Sequence, residues 1–172
     1  RDFLTRLSPE TPLVGLNVGA GRVFANKAWT IEGYARLARM ISERLGGSAI
    51  VLGGPEDRDR SEEVLRLAGG SALDGGLHDV LDFAAIVGML DAMVTGDTLA
   101  MHLAIALGVP AVVLFGPTVP QEIELYGNGV KLASAAECAP CYRRSCDRSP
   151  TCMDAITPEE VFNALEEVLR AS

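Results

Sequence analysis

The chain has 172 residues, of which 48% are hydrophobic and 22% charged, and its formal net charge is −8. This length suits one domain, and a soluble fold of this size buries ~70% of the surface of its unfolded chain. The acidic balance argues against a nucleic-acid backbone or an anionic membrane surface as the main partner, because both would repel the protein. A small anionic ligand stays compatible with it, since a helix N-terminus and one or two basic side chains can bind a phosphate locally.

The sequence shows neither a membrane-spanning stretch nor a targeting segment. No part of it approaches the ~20 consecutive apolar residues that a membrane span needs. Residues 1–6 lack the apolar core of a signal peptide, and the chain does not begin with Met. We therefore expect residues 1–172 to form one domain that has been cut from a longer protein.

Short apolar runs alternate with glycine loops and helical patterns along the chain. Apolar runs that stop at glycine predict strands, and apolar residues at helical spacing predict helices. In chain order we expect a strand at 13–18, a helix at 31–45 after the N-cap Thr30, a strand at 49–52, helices at 58–67 and 82–90, a strand at 92–95, a helix at 98–107, strands at 111–115 and 130–133, and a final helix that begins with a capping box at 157–160. The predicted fold class is therefore α/β, a doubly wound, Rossmann-like parallel sheet that is covered on both faces.

Four loops follow the carboxyl ends of predicted strands, and each combines glycine with polar or charged residues. They occupy residues 19–27, 53–57, 96–98 and 116–118. Open sheets of this kind bind ligands at that edge, so the clustering predicts a nucleotide-like ligand. Two common phosphate motifs are absent from the sequence, because Lys27 precedes Ala28 rather than Ser or Thr and the glycine turn at 19–21 lacks the third glycine of a dinucleotide fingerprint. A nicotinamide enzyme is therefore not expected.

The strongest candidate for a site is the segment 95–102, with the sequence TGDTLAMH. Asp97 and Thr98 stand at a strand-to-helix junction, where free N–H groups and the positive end of the helix dipole would face a phosphate. His102 follows Thr98 by four residues and so shares its helical face. Asp97 could instead be a simple N-cap and His102 an ordinary core residue. The Phe-Gly-Pro-Thr loop at 115–118 favours the ligand-binding interpretation.

These motifs resemble those of glycosyltransferase family 9, the heptosyltransferases of lipopolysaccharide synthesis. The similarity runs from about residue 13 to 169 and covers the C-terminal, donor-binding half of a two-domain GT-B fold. It rests on five segments: Asn-Lys-Ala-Trp at 26–29, Gly-Gly-Pro-Glu-Asp at 53–57, Gly-Asp-Thr-x-x-x-His at 96–102, Phe-Gly-Pro-Thr at 115–118, and Cys-x-Pro-Cys at 138–141 with a later Cys-Met at 152–153.

The resemblance implies a site for a nucleotide-sugar donor such as ADP-heptose. Lys27 would contact the donor phosphate and Glu56 the ribose, while the glycine loop after the first strand would approach the diphosphate. The implied donor-binding residues are Gly19, Ala20, Lys27, Glu56, Asp97, Thr98 and His102, the last three lining the diphosphate and sugar. From the residues alone, Lys27 could be a solvated surface lysine, and Glu56 could complement the dipole of the helix that follows it.

All four cysteines of the chain lie within fifteen residues, and they are Cys138, Cys141, Cys146 and Cys152. Four thiolates could bind Zn²⁺ tetrahedrally or hold an iron–sulfur cluster. They could also be free or disulfide-paired thiols that fasten a loop of about twenty residues, which a compact domain rarely leaves unfastened. We expect a structural role without a part in sugar transfer, with Zn²⁺ favoured over disulfides.

By the resemblance, the chain is the donor-binding domain of an inverting glycosyltransferase that moves a heptose or similar sugar onto lipopolysaccharide core or a related glycan. It contains no convincing general base, which the resemblance places in an absent N-terminal domain, so this domain alone should bind donor without turnover. The expected partners are a nucleotide-sugar and, through the absent domain, a glycolipid acceptor. No catalytic cofactor and no nucleic acid are expected. The implied location is cytoplasmic, with peripheral association at the inner membrane through the absent domain.

The alternative function is that of a non-catalytic nucleotide-binding module whose cysteine cluster forms a partner interface.

Overall fold

The computed structural model describes residues 10–21 and 23–171. Residues 1–6, on which the argument against a signal peptide rests, lie outside the described residues. Six strands form one sheet, and they are β1 (Leu13–Asn17), β2 (Ser48–Leu52), β3 (Ala72–Asp74), β4 (Ala92–Gly96), β5 (Ala111–Phe115) and β6 (Gly129–Ala133). All neighbouring strands are parallel, in the order β3-β2-β1-β4-β5-β6. The predicted doubly wound parallel sheet is confirmed.

Five α-helices cover the two faces of this sheet. They are α1 (Ile31–Met40), α2 (Arg58–Ala68), α3 (Val80–Val87), α4 (Leu99–Leu107) and α5 (Pro158–Ala171). One apolar core lies between the sheet and α1, α2 and α5, and a second core lies between the opposite face and α3 and α4. All residues of β1, β4 and β5 are buried, because both of their faces are covered.

The strand order reverses between β1 and β4. The chain moves outward from β1 to β3 and then returns to place β4 on the other side of β1. The register keeps the carboxyl ends level, with Asn17 beside Leu52 and Gly96 beside Leu114. In a sheet of this order, a ligand crevice forms where the loops after β1 and β4 turn to opposite faces.

Several boundaries differ from the predicted ones. The three-residue strand β3 was not predicted, because it is too short to show an apolar run. Helix α3 begins at Val80 rather than at residue 82, since the Asp79 carboxylate accepts hydrogen bonds from the N–H groups of Leu81 and Asp82, both at 2.9 Å. Within the described part of the chain, no helix is both long and apolar enough to cross a membrane.

Candidate functional site

A cavity of about 370 Å³ opens at the switch point of the sheet. Its walls come from the loops after β1, β2, β3 and β4 and from the first turns of α3 and α4. Four of the predicted site residues line it, namely Gly19, Ala20, Glu56 and Thr98. The lining also includes Asp57 and Leu99, which belong to the predicted motifs, and residues that the sequence did not single out, among them Asn17, His78 and Phe83.

Asn17 joins the turn after β1 to the turn after β4. Its buried side-chain amide donates hydrogen bonds to the Gly19 carbonyl at 3.2 Å, to Thr95 Oγ1 at 3.1 Å and to Thr98 Oγ1 at 3.2 Å. The Tyr34 phenol donates to the backbone carbonyl of Asn17 at 2.7 Å. Burial raises the pKa of Tyr34 well above its ordinary value, so the phenol stays protonated and keeps donating. One amide therefore fixes the spacing of the two loops that flank the cavity.

Asp57, at the start of α2, packs against the glycine loop after β1. The Asp57 carboxylate accepts a hydrogen bond from the Gly54 N–H at 2.9 Å, and a Cβ on Gly19 would lie only 2.3 Å from Asp57 Oδ2. The Arg60 guanidinium donates through Nε to the Val18 carbonyl at 2.8 Å. A side chain at position 19 would have to displace this carboxylate, against which the loops after β1 and β2 both pack.

Lys27 forms an ion pair with Asp97 beside the cavity. Lys27 Nζ lies 2.7 Å from Asp97 Oδ2 and 3.4 Å from the Asp97 carbonyl oxygen, and it stands 4.9 Å from the centre of the Phe24 ring. The two side chains are only 15% and 19% exposed. Lys27 is thus held in place and is not a solvated surface lysine. The alternative role of Asp97 as the cap of α4 is wrong, since Thr98 occupies the N-cap position.

The first turn of α4 faces the cavity, with Leu99 and Ala100 in its lining. As far as the described chain shows, the Thr98 hydroxyl makes no capping bond to this helix and is engaged by Asn17 and Thr95 instead. The N–H groups of the first turn are therefore available to an anion, and the helix dipole adds partial positive charge there. His102 lies one turn further along α4, is exposed and does not line the cavity.

The cysteine segment, residues 138–152, follows the site loops in sequence. All four of its cysteines are free. Burial raises the pKa of the Cys152 thiol, and the other three thiols raise it further. Among the described residues, however, no three Cys, His, Asp or Glu side chains are gathered closely enough to hold a metal ion. The four thiols have the chemistry of a metal site, but their arrangement in the structure is not that of one. The bound metal stays a prediction.

A parallel sheet of order 3-2-1-4-5-6 with a glycine-lined cavity at its switch point defines a Rossmann-like α/β ligand-binding domain. Residues 2–151 match the family model described as "Glycosyltransferase family 9 (heptosyltransferase)". The chain belongs to that family, as its motifs predicted.

Known proteins agree with this assignment. The lipopolysaccharide heptosyltransferase 1 of Pseudomonas aeruginosa is 31% identical, over 99% of this chain and 52% of its own length. The chain thus spans about half the length of this relative. The solved family 9 glycosyltransferase of Veillonella parvula superposes with a TM-score of 0.83 at 24% identity, over 99% of this chain and 50% of that one. The Escherichia coli heptosyltransferase WaaC, solved with ADP, superposes with a TM-score of 0.67 at 19% identity. The match covers 91% of this chain and 44% of that one. The fold is that of a Rossmann-like half of a GT-B glycosyltransferase.

Proposed function

We propose that this chain is the donor-binding domain of an inverting glycosyltransferase. The enzyme would transfer a heptose or similar sugar from a nucleotide-sugar donor such as ADP-heptose to lipopolysaccharide core or a related glycan. The observation that carries the proposal is the cavity at the switch point, where Gly19, Ala20, Glu56 and Thr98 meet the free N-terminus of α4. The name of the Pseudomonas aeruginosa relative supports the reaction, and the ADP in the Escherichia coli structure supports the nucleotide.

The proposed reaction needs stabilisation of a departing diphosphate. An acceptor hydroxyl attacks the anomeric carbon, the carbon–oxygen bond to the diphosphate breaks, and the hydroxyl proton passes to a general base. Negative charge then grows on the diphosphate oxygens, beside the N–H groups of α4 and the ammonium of Lys27. Both groups are fixed before the reaction, Lys27 by its ion pair with Asp97 at 2.7 Å. Such preorganised positive charge stabilises the leaving group without further rearrangement.

The remaining predicted residues divide between the two ends of the donor. Glu56 lies in the cavity wall after β2, where we place the ribose, and the glycine turn at 19 and 20 approaches the diphosphate. We place the sugar near Asp97, beside Lys27, and His102, which is exposed and outside the cavity lining, keeps its role in sugar binding only as the resemblance implies it. The general base and the acceptor site belong to a second domain in this proposal. This domain alone should therefore bind donor without turnover, and a cytoplasmic location at the inner membrane would place it near a glycolipid acceptor.

We assign the cysteine segment a structural role and route no step of the transfer through a metal. The non-catalytic alternative has no comparable support, because the matching family model is that of heptosyltransferases.

Calorimetric titration of the chain with ADP, ADP-heptose and a UDP-sugar in parallel tests the proposal. We expect saturable binding of ADP and ADP-heptose and weaker binding of the UDP-sugar. The bound nucleotide should also raise the melting temperature, because it stabilises only the folded state. Absence of both effects with every nucleoside diphosphate at millimolar concentration would contradict the proposed function.

A further inference from the structure

The cysteine segment bridges two of the loops that surround the candidate site. The backbone N–H groups of Cys141 and Tyr142 both donate to the Pro117 carbonyl, at 3.1 and 2.8 Å. On the other side, the Asn26 side-chain amide donates to the Arg143 carbonyl at 2.9 Å. Residues 141–143 are thus tied at once to the loop after β5 and to the turn that carries Lys27.

The backbone of Tyr142 is held in an unusual conformation while its ring is partly exposed. Its backbone φ is 53°, in the left-handed region that few residues other than glycine adopt. Interaction with the Glu122 carboxylate, followed by partial burial and by the charges of Glu122 and Asp97, raises the pKa of the Tyr142 phenol. The side chain nevertheless stays 46% exposed. A strained backbone persists where the surroundings determine it strongly, and such positions concentrate at functional sites.

The same junction holds two buried oxygen atoms that lack a hydrogen-bond donor in the described chain, Asn26 Oδ1 and Thr118 Oγ1. Asn26 is the residue that binds Arg143, and Thr118 follows the Pro117 carbonyl to which Tyr142 donates. Buried polar atoms are rarely left without a partner in a complete structure. Both atoms belong to residues next to the contacts that hold residues 141–143 in place.

We propose that the ring of Tyr142 forms a wall of the sugar subsite and contributes to the choice of the transferred sugar. This inference rests on the proposed function. The cavity wall includes the loop after β2 and the start of α3. Tyr142 is tied instead to Pro117 after β5, and the next residue, Arg143, is bound by Asn26, the neighbour of Lys27 in the Lys27–Asp97 pair. A group that extends from the diphosphate past the Lys27–Asp97 pair would reach the Tyr142 ring. Aromatic rings bind large apolar surfaces while keeping a polar tip engaged, which suits the C–H face of a sugar with hydroxyls at its rim.

Replacement of Tyr142 by glycine removes the ring without backbone strain, since glycine adopts positive φ readily. Tyr126→Gly is a matched control, because Tyr126 has a φ of 54° and is 79% exposed. Calorimetry of the parent chain, Tyr142→Gly, Tyr142→Phe and Tyr126→Gly should use ADP and ADP-heptose. We expect Tyr142→Gly to lower the affinity for ADP-heptose about 5- to 30-fold, the typical scale of one lost aromatic contact. The affinity for ADP should fall less than about twofold. Tyr142→Phe and Tyr126→Gly should resemble the parent.

Two results would overturn the inference while leaving the proposed function intact. One is an equal loss for ADP and ADP-heptose in Tyr142→Gly, which would show that Tyr142 only supports the fold of the site. The other is unchanged affinity for both ligands in that variant. If the parent chain binds neither ligand, the proposed function itself is wrong, and this inference falls with it.

Discussion

At the residue scale, the arrangement of Lys27 explains how an acidic domain can bind a diphosphate. The ammonium is held between Asp97 and the Phe24 ring, and the first turn of α4 lies close by. The charge of Lys27 is therefore located before a ligand arrives, so little side-chain entropy is lost on binding. A local positive group can therefore attract the diphosphate although the net charge of the whole chain is −8.

Substitution of Lys27 by alanine should weaken ADP binding by ~1–3 kcal/mol, because it removes a charge-assisted contact and leaves Asp97 to repel the phosphate. The free energy of unfolding should change by less than about 1 kcal/mol, the usual range for an ion pair near the surface. Calorimetry and urea denaturation measure the two quantities. Lys131→Ala removes the same charge from β6 at the edge of the sheet and should leave ADP affinity unchanged. Equal affinities for Lys27→Ala and its parent would remove Lys27 from the site.

The contact between Gly19 and Asp57 gives a second prediction at this scale. Gly19→Ala would place a Cβ 2.3 Å from Asp57 Oδ2, so the carboxylate must move away from the Gly54 N–H. We expect a loss of ~1–3 kcal/mol in unfolding free energy, as for other overpacked positions, together with weaker ADP binding. Gly54→Ala is the control for stability, because its Cβ would meet Asp57 Oδ2 at an ordinary 3.4 Å.

Denaturant titration of these variants in a double-mutant cycle with Asp57→Ala tests the cause. The cost of Gly19→Ala should shrink when Asp57 is already alanine. A cost that stays the same in both backgrounds would mean that the carboxylate is not what excludes a side chain from position 19.

At the element scale, α5 shows how a local pattern determines a helix boundary. The N–H and the hydroxyl of Thr157 both donate to Glu160 Oε2, at 2.8 and 2.7 Å, and the Glu160 N–H donates back to Thr157 Oγ1 at 3.3 Å. This is the predicted capping box. The backbone bond from Thr157, followed by its side-chain bond, lowers the pKa of Glu160 below its ordinary value.

Glu160→Gln should therefore destabilise the protein at neutral pH but not at low pH. Because the folded-state pKa is lowered, the ionised group stabilises the fold above its unfolded pKa of about 4.3, and this contribution is lost as the pH falls through the lowered value. The loss at pH 7 should be within ~0.5–2 kcal/mol, the scale of a helix cap. Urea denaturation at pH 7 and at about pH 3 measures it. Glu167→Gln, in an exposed part of the same helix, should show no such difference. A loss that is independent of pH would contradict this account of the cap.

Other elements were predicted with errors that have local causes. The helix after residue 30 continues past α1 as a π-helical turn at 41–45 before Gly46, and its overall span agrees with the apolar spacing. Helix α3 is shifted because Asp79 caps it two residues earlier than the apolar pattern suggests. Strand β3 is held at the sheet edge by pairing with β2, and three residues carry no periodicity that would predict it.

At the scale of the whole molecule, the site exists because of the strand order. Asn17 at the end of β1 and Thr95 in β4 are separated by 78 residues, yet they are hydrogen bonded at 3.1 Å because the two strands are neighbours. The same adjacency brings the glycine turn to the N-terminus of α4. The Trp29 indole, which donates to the Ile156 carbonyl at 2.9 Å, connects the turn before α1 to the residues between the cysteine segment and α5.

The sequence by itself determined the α/β class, most strand and helix positions, the glycine loops at the ligand edge and the family. These features depend on local periodicity, turn residues and short motifs, and each can be recognised within a few consecutive residues. The tertiary structure decided which side chains meet: the Lys27–Asp97 pair, Asp57 beneath Gly19, and Tyr142 beside the loop after β5. Asn17 left a trace in the sequence, as a polar residue in an apolar strand, whereas Arg60 and Tyr142 left none. Contacts between residues far apart in the chain follow from strand order and packing, which no local pattern encodes.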